Sequence, residues 1–296
     1  MALYVQTNTS SINSQRMLAR STRQLDTSYE RLSSGLRINS AKDDAAGLQI
    51  SNRMASQING LTQGNRNAND GISMCQVTEG ALDEVTSMLQ RIRTLAIQSA
   101  NGTNSSAERI AINEEVQQLI KEVRRVGTDT SYGGNLKILG PDVSDTVFQV
   151  GSNAYQTISL TMKSLSKLVT VTALVNIPNS RGTNVATIDP NTTLSNMTVT
   201  SADDSQKTIA FMSEIIRQVD SYRAELGAVQ NRMESTISNQ ENVIENVSDA
   251  RARIRDVDYA VETANMTQQS IIQQASTTIL TQANQKTQIA MNLLQG

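Results

Sequence analysis

The chain has 296 residues, with 26 basic and 28 acidic side chains for a net charge of -2, and it contains no histidine and no tryptophan. That balance leaves no basic face for nucleic acid and no polybasic tract for an anionic membrane, and the missing histidine removes Ser-His-Asp triads, histidine metal ligands and a histidine pH switch together. Aromatic residues make up 3% of the chain, too few for a thick globular core, so the apolar surface is expected along narrow seams.

The opening "MALYVQTNTSSINSQR" lacks the continuous apolar core of a secretory signal, so no cleaved leader is expected. Residues 1–34 read as an amphipathic helix poor in large apolar groups, with Leu18, Leu25 and Leu32 seven apart. Gly35 suits the left-handed position just past a helix. Ser40 and Asp43 have capping-box spacing, so the chain is expected to stop and restart within about five residues. Asp43 and Asp44 then sit in a first helical turn, where the helix dipole explains two acids better than paired catalytic carboxylates do. Met54, Leu61, Ala68, Cys75, Leu82, Leu89 and Ala96 repeat every seven residues. The helix they predict runs from Lys42 to Ser99 and spans about 85 Å at 1.5 Å per residue. Cys75 has no partner for an internal disulfide and lies on that seam, so burial is favoured over a reactive thiol. Its isolation fits a reducing compartment or an exterior protein that avoids disulfides.

Ser105 with Glu108 marks the next helix start, followed by Ile112, Val116, Leu119, Val123 and Val126 at alternating spacings of four and three. The middle of the chain differs. It holds all three prolines, Pro141, Pro178 and Pro190. "SYGGNLKILGPDVSDTVFQVGSNAYQTISLTM" reads as hairpins, and "NIPNSRGTNVATIDPNTTLSNMTVTSADD" as an exposed loop or small β cap. The sequon at Asn191, without a secretory signal, reads as a chance match. Ser201 with Asp204 opens a return helix, and between Gly182 and Gly296 the one glycine is Gly227. Two series support one long helix with coiled-coil a and d positions. The first is Met212, Val219, Leu226, Met233, Val247, Ile254 and Val261, broken by Gln240. The second is Ile215, Tyr222, Val229, Val243, Ala250, Val257, Ala264 and Ile271, broken by Thr236. "DARARIRDVDYA" is a solvated face with local ion pairs, or, if the return is antiparallel, a face docked by Arg253 and Arg255 against Asp43 and Asp44. The closing "QIAMNLLQG" leaves Ile289, Leu293 and Leu294 with little of their own chain to cover them. Such ends either fray or are buried against copies, and head-to-tail contacts that do not close give helical filaments.

The fold expected is mainly α: a long antiparallel coiled-coil-like helical rod with a small β-hairpin region in the middle of the chain. P-loop, G-x-G-x-x-G, C-x-x-C and G-x-S-x-G patterns are missing, no run approaches the roughly 20 apolar residues of a membrane span, and no cofactor or catalysis is expected.

"ERLSSGLRINSAKDDAAGLQISNRM" (Glu30 to Met54), "NANDGIS", "LQRIRTLAIQSANGTNS", "FQVGSNAYQTI", "ARIRDVDYA" and the closing "NLLQ" closely resemble bacterial flagellin. The resemblance covers roughly 1–165 and 205–296. It implies a subunit that polymerises into the flagellar filament, with paired terminal helices forming an inner tube and little or no outer domain. It divides the chain into an inner-tube part at 1–42, rod at 43–175, a short variable insertion at 176–204, rod again at 205–253 and inner tube at 254–296. It also implies an extracellular flagellar location reached by type III export without signal cleavage, an export chaperone for the C-terminal helix, and contact with cap and hook–filament junction proteins. Host flagellin receptors would read Gln90, Arg91, Leu95 and Glu115, with Thr94 standing where related sequences often carry an acid, and intracellular sensors Leu293 and Leu294. In this frame Asp43, Asp44, Arg253 and Arg255 pair across the linker, and Ile289, Leu293 and Leu294 serve assembly. Three rivals differ in testable ways. A hook–filament junction protein joins rather than polymerises. A chemoreceptor-like signalling rod needs a tight helical tip where this chain has β-structure and prolines. A helical enzyme needs an acid–base pair.

Overall fold

The computed structural model describes residues 7–134, 136–171, 175–178, 184–188 and 192–294. Among the described residues there are six helices: α1 Thr9–Ser34, α2 Ala45–Ala100, α3 Ser106–Asp129, the single turn α4 Leu165–Leu168, α5 Ala202–Arg255 and α6 Tyr259–Leu294. Between α3 and α5 lie four two-stranded antiparallel pairings. Strands β1 Ser131–Tyr132 and β2 Leu136–Lys137 pair, as do β3 Thr146–Gln149 and β4 Thr157–Leu160. Strand β5 Thr170–Val171 pairs with β8 Thr192–Thr193 around β6 Val175–Pro178 and β7 Asn184–Ile188, which pair with each other. The mainly helical class and the β-hairpin region in mid-chain hold. No helix among the described residues is long and apolar enough to cross a membrane.

The chain forms two compact units, one of residues 1–58 with 243–296 and one of residues 59–242. The positions near 42 and 254 lie at helix interruptions inside the first unit.

In the unit of residues 59–242 the heptads do what their spacing requires. Cys75, Leu82, Leu89 and Ala96 of α2 are buried against Met212, Ile215, Val219, Tyr222 and Leu226 of α5, with Val116 and Val123 of α3 closing the third side, while Ala68 is buried with Val150, Ile158 and Met233. Glu79 accepts from Gln230 Nε2 at 3.2 Å and Asp83 pairs with Arg223 at 3.1 Å, so α2 and α5 run antiparallel here. The Cys75 thiol is fully buried and is pushed up to about 11 by desolvation, aided by Glu79. We therefore expect a thiol-specific chromogenic reagent at neutral pH to leave native protein unlabelled and to react fully once denaturant opens the core.

The expected insertion at 176–204 is not all outside. Leu194 and Val199 are fully buried, and backbone groups at 197–199 are taken up by helix side chains. Ser99 Oγ donates to the Val199 carbonyl at 2.6 Å, Gln117 Nε2 to the Met197 carbonyl at 2.8 Å, and Val199 N–H to Asn113 Oδ1 at 3.1 Å. Two apolar residues in a polar stretch carry no periodicity, so only the packing reveals them. Asn191 lies outside the described residues.

Ser105 and Glu108 form the full reciprocal capping box at the start of α3. At α5 only Ser201 contributes, its Oγ accepting from the Asp204 N–H at 3.2 Å.

Candidate functional site

The linker after α1 differs from a simple capped restart. Gly35 is left-handed at φ 72° and ends α1. Asp43 does not open a helix. Its carboxylate turns back to accept from the Asn39 and Ser40 N–H groups at 3.1 and 2.9 Å and from Ser40 Oγ at 3.1 Å. Those bonds, Ser40's first, hold the Asp43 carboxyl below the usual aspartate range. Asp44 is the cap of α2: its Oδ1 accepts from Gly47 N–H at 2.9 Å and its carbonyl from Leu48 N–H at 3.0 Å. The helix therefore begins at Ala45, not at Lys42.

The return chain breaks at the same level, against the expectation of one helix through 271. Asp258 caps α6, its Oδ1 accepting from Ala260 and Val261 N–H at 2.9 and 3.2 Å. With neither glycine nor proline at 256–258, the break has no breaker signature, and the linker's backbone supplies it. Arg37 N–H donates to the Arg255 carbonyl at 2.6 Å, Val257 N–H to the Gly35 carbonyl at 3.1 Å, and Leu36 bridges Asp256. Linker and return chain are thus joined through backbone bonds and the Arg37 guanidinium, whose Nη2 donates to the Ile254 carbonyl at 2.5 Å, not through the expected charges. Among the described residues no ion pair links Asp43 or Asp44 to Arg253 or Arg255. Arg253 pairs with Asp249 one turn back on its own helix, and Arg255 contributes its carbonyl.

Helices α1 and α6 pack antiparallel along a seam of small polar groups. Ser14, Ser21 and Ser28, seven apart, are buried, Ser21 opposite Gln269 and Ser28 opposite Glu262, and Leu25, Ser276 and Ala283 are buried as well. Ser21 Oγ donates to the Gln269 carbonyl at 2.9 Å, Ser11 Oγ to Asn284 Oδ1 at 2.9 Å, and Asn8 Nδ2 to the Ala283 carbonyl at 2.8 Å. Among the described residues the one buried charge on this seam is Glu262. Its Oε1 accepts from Ser28 Oγ at 2.5 Å, and its Oε2 pairs with Arg31 at 3.6 Å. Leu25 of the predicted series is buried, but two heptad members of α6 face the other way: Val261 is 57% exposed and Ile271 61%. With Ile12, Met17, Tyr29, Ile272 and Ile279, also exposed, they leave apolar side chains on the outside of a polar seam. Heptad counting alone missed Glu262, because it follows the apolar series and the buried series is one residue out of phase. Ile289, Leu293 and Leu294 belong to α6, and their side chains lie outside the described residues.

A second constellation, in the unit of residues 59–242, seats the β3–β4 hairpin on α2. A Cβ at Gly60 would lie 2.9 Å from Ser152 Cβ, and one at Gly64 would lie 1.8 Å from the Val150 carbonyl oxygen. Asn67 Nδ2 donates to the Gln149 carbonyl and Gln240 Nε2 to the Val150 carbonyl, both at 2.8 Å. The polar interruption of the heptad at Gln240 is therefore a buried clamp on the hairpin.

Arg91 donates to Glu115 Oε1 through Nε and Nη2 at 3.0 and 2.7 Å, joining α2 to α3 on an exposed face that also carries Gln90 and Thr94. Leu95 departs from that grouping. It is 3% exposed and belongs to the core beside Ile92 and Ala96.

Two family patterns match the chain. That of the bacterial flagellin N-terminal helical region covers residues 5–139, and that of the bacterial flagellin C-terminal helical region covers residues 209–294. The chain belongs to the bacterial flagellin family. Residues 140–208, between the two matches, hold β3 to β8 and the first turns of α5. Flagellin A of Vibrio anguillarum is 37% identical over 380 residues that cover 100% of both chains. Polar flagellin C of Vibrio parahaemolyticus is 36% identical over 385 residues, again covering 100% of both. B-type flagellin of Pseudomonas aeruginosa is 55% identical over 166 residues, which are 56% of this chain and 34% of that relative. Among solved structures, Bacillus cereus flagellin aligns at 23% identity and a TM-score of 0.46, covering 59% of this chain and 88% of that one.

Proposed function

We propose that this flagellin is the structural subunit of a flagellar filament, and that copies of the chain add by covering the outward apolar face of the α1–α6 pair. The observation that carries the reading is the inversion of that pair. Its inner seam is mostly serine, glutamine and one carboxylate, with Leu25 and Ala283 the apolar residues buried there, while Ile12, Val261, Ile271 and Ile279 stand outside at 54% exposure or more. Apolar side chains left in water along two helices mark a surface that becomes buried on association, and unlike surfaces meeting head to tail extend without closing. The role is structural and requires no catalytic step. In this reading the subunit is exported unfolded to the cell exterior without signal cleavage, an export chaperone covers the C-terminal helix in transit, and cap and hook–filament junction proteins meet it at the filament's ends. Gln90, Arg91 and Glu115 form the face available to a host receptor, with Leu95 supporting it from the core, and Leu293 and Leu294 serve assembly and intracellular sensing.

Purified chain mixed with short filament fragments should elongate them under the electron microscope. A chain lacking residues 287–296 should keep the melting transition of the 59–242 unit and fail to elongate. Normal filaments from the truncated chain would sink the proposal that the C-terminal helix drives assembly.

A further inference from the structure

Two asparagines in the chain precede a glycine, at Asn59–Gly60 and Asn101–Gly102. That pairing is the one best able to close on itself, because the glycine nitrogen has no adjacent Cβ to hold it off the preceding side chain. Both asparagines are exposed, so the backbone around them decides which can react. Asn59 and Gly60 lie inside α2. There the peptide N–H is taken up by the helix ladder, and the helical ψ keeps the Gly60 nitrogen out of line with the Asn59 side chain. The hairpin adds a cover: a Cβ at Gly60 would lie 2.9 Å from Ser152 Cβ.

Asn101 and Gly102 lie past the end of α2, in the turn that leads to α3. Among the described residues nothing accepts from the Gly102 N–H, and a Cβ built on Gly102 would meet nothing within 4 Å. Thr103 N–H donates to Asn101 Oδ1 at 3.5 Å, which folds the side-chain carbonyl forward over the intervening peptide. Arg109 Nη2 donates to the Asn101 backbone carbonyl at 3.0 Å. That oxygen and the Gly102 nitrogen belong to one amide, so a cation on the oxygen stabilises the anion left when the nitrogen loses its proton. The turn is fastened in this arrangement. Arg109 Nε also donates to the Asn104 carbonyl at 3.4 Å, and Asn104 Nδ2 donates to the Gln98 carbonyl at 2.6 Å.

We propose that Asn101–Gly102 is a self-modification site, at which the folded chain converts Asn101 into aspartate and isoaspartate, with Arg109 activating the peptide. The Gly102 nitrogen gives its proton to water and attacks Asn101 Cγ. The Cγ–Nδ2 bond breaks, and Nδ2 leaves as ammonia, taking up a proton in place of the one the glycine gave. Water then adds to either carbonyl of the resulting succinimide, and the bond from that carbon to the Gly102 nitrogen breaks. Addition at Cγ gives aspartate. Addition at the backbone carbonyl gives isoaspartate, which routes the main chain through Cβ and lengthens the link between α2 and α3. Either product places a new carboxylate in the turn that Arg109 holds, and Arg109 Nη1 is a buried donor without a hydrogen-bond partner among the described residues.

The test incubates the full native chain in mildly alkaline buffer and follows both asparagines by peptide mass mapping and enzymatic methylation of isoaspartate. Asn101 should convert about tenfold or more faster than Asn59, and the two should converge when denaturant removes α2. Gly102→Ala should slow the conversion of residue 101 about tenfold or more, because the attacking nitrogen gains a Cβ beside it. That Cβ has open space, so the melting midpoint should stay with the parent's. Arg109→Gln should slow conversion about threefold or more, and Arg109→Lys, which keeps the cation, should recover most of the loss. An unmodified Asn101, or equal native rates at Asn59 and Asn101, overturns the proposal. So does a Gly102→Ala chain that converts as fast as the parent. A rate in Arg109→Gln at or above the parent's overturns the activating role of Arg109.

Discussion

Replacing Gly64 with alanine should unseat the β3–β4 hairpin and lower the stability of the 59–242 unit by about 2 kcal/mol or more. The added carbon would lie 1.8 Å from the Val150 carbonyl oxygen. That oxygen is backbone, held by Gln240 Nε2 at 2.8 Å, so no flexible side chain can give way. Relief requires the hairpin to lift, which breaks the Gln240 bond and leaves a buried carbonyl without its donor, a further cost of about 1–3 kcal/mol. The ordinary gain from replacing glycine by alanine in a helix, about 0.5–1 kcal/mol, is too small to compensate. Gly80 lies on the same helix with nothing within 4 Å of its would-be Cβ. Gly80→Ala should therefore stabilise by about 0.5–1 kcal/mol. Urea midpoints for the two variants should move in opposite directions, and movement in the same direction would rule out the steric account of Gly64.

Glu262→Ala should release α6 from α1 while leaving the other unit intact. The carboxylate is 6% exposed and is the shared acceptor of Ser28 Oγ and Arg31. Removing it leaves a buried hydroxyl without an acceptor and a guanidinium whose Nε already lacks a partner. Breaking a buried pair from one side costs about 3–5 kcal/mol. Arg31 is partly solvated, its side chain 30% exposed, which brings the expected loss down to about 2–3 kcal/mol. Glu262→Gln keeps an acceptor for Ser28 and loses only the ion pair, so it should cost about 1 kcal/mol. Amide exchange reads the result by region. Protection should fall along α1 and α6 in the alanine variant and stay unchanged in α2 near Cys75 and in α5 near Val219. The rest of the α1–α6 seam consists of hydroxyls and amides, whose bonds contribute about 1 kcal/mol each, so this one carboxylate has a disproportionate share in holding the pair.

Both predictions concern residues whose roles come from what faces them. Gly64 and Glu262 are unremarkable in the sequence, one a glycine in a helix that contains several and the other an acid beside an apolar series. The same holds for Gln240, visible as a gap in a heptad but not as a donor to a particular carbonyl.

What the sequence determined by itself was the set of helices in the 59–242 unit, the capping box at Ser105 and Glu108, the burial of Cys75 and the β character of the middle. These follow from local chemistry and from a seven-residue period, in which each position has one partner face and no competing choice. The family was legible as well, because its long motifs survive intact at both ends of the chain. Tertiary structure decided the rest. Backbone bonds from residues 35–38 accompany a break at 256–258 in a stretch with no helix breaker, because amide and carbonyl groups are the same in every residue and leave no trace in sequence. The α1–α6 pair buries Leu25 as its period predicts but otherwise packs a largely polar seam inward, with Ile12, Ile271 and Ile279 exposed. The period rule assumes a helix buries its apolar stripe within its own chain, and a chain whose stripe is covered by another copy has no reason to obey it.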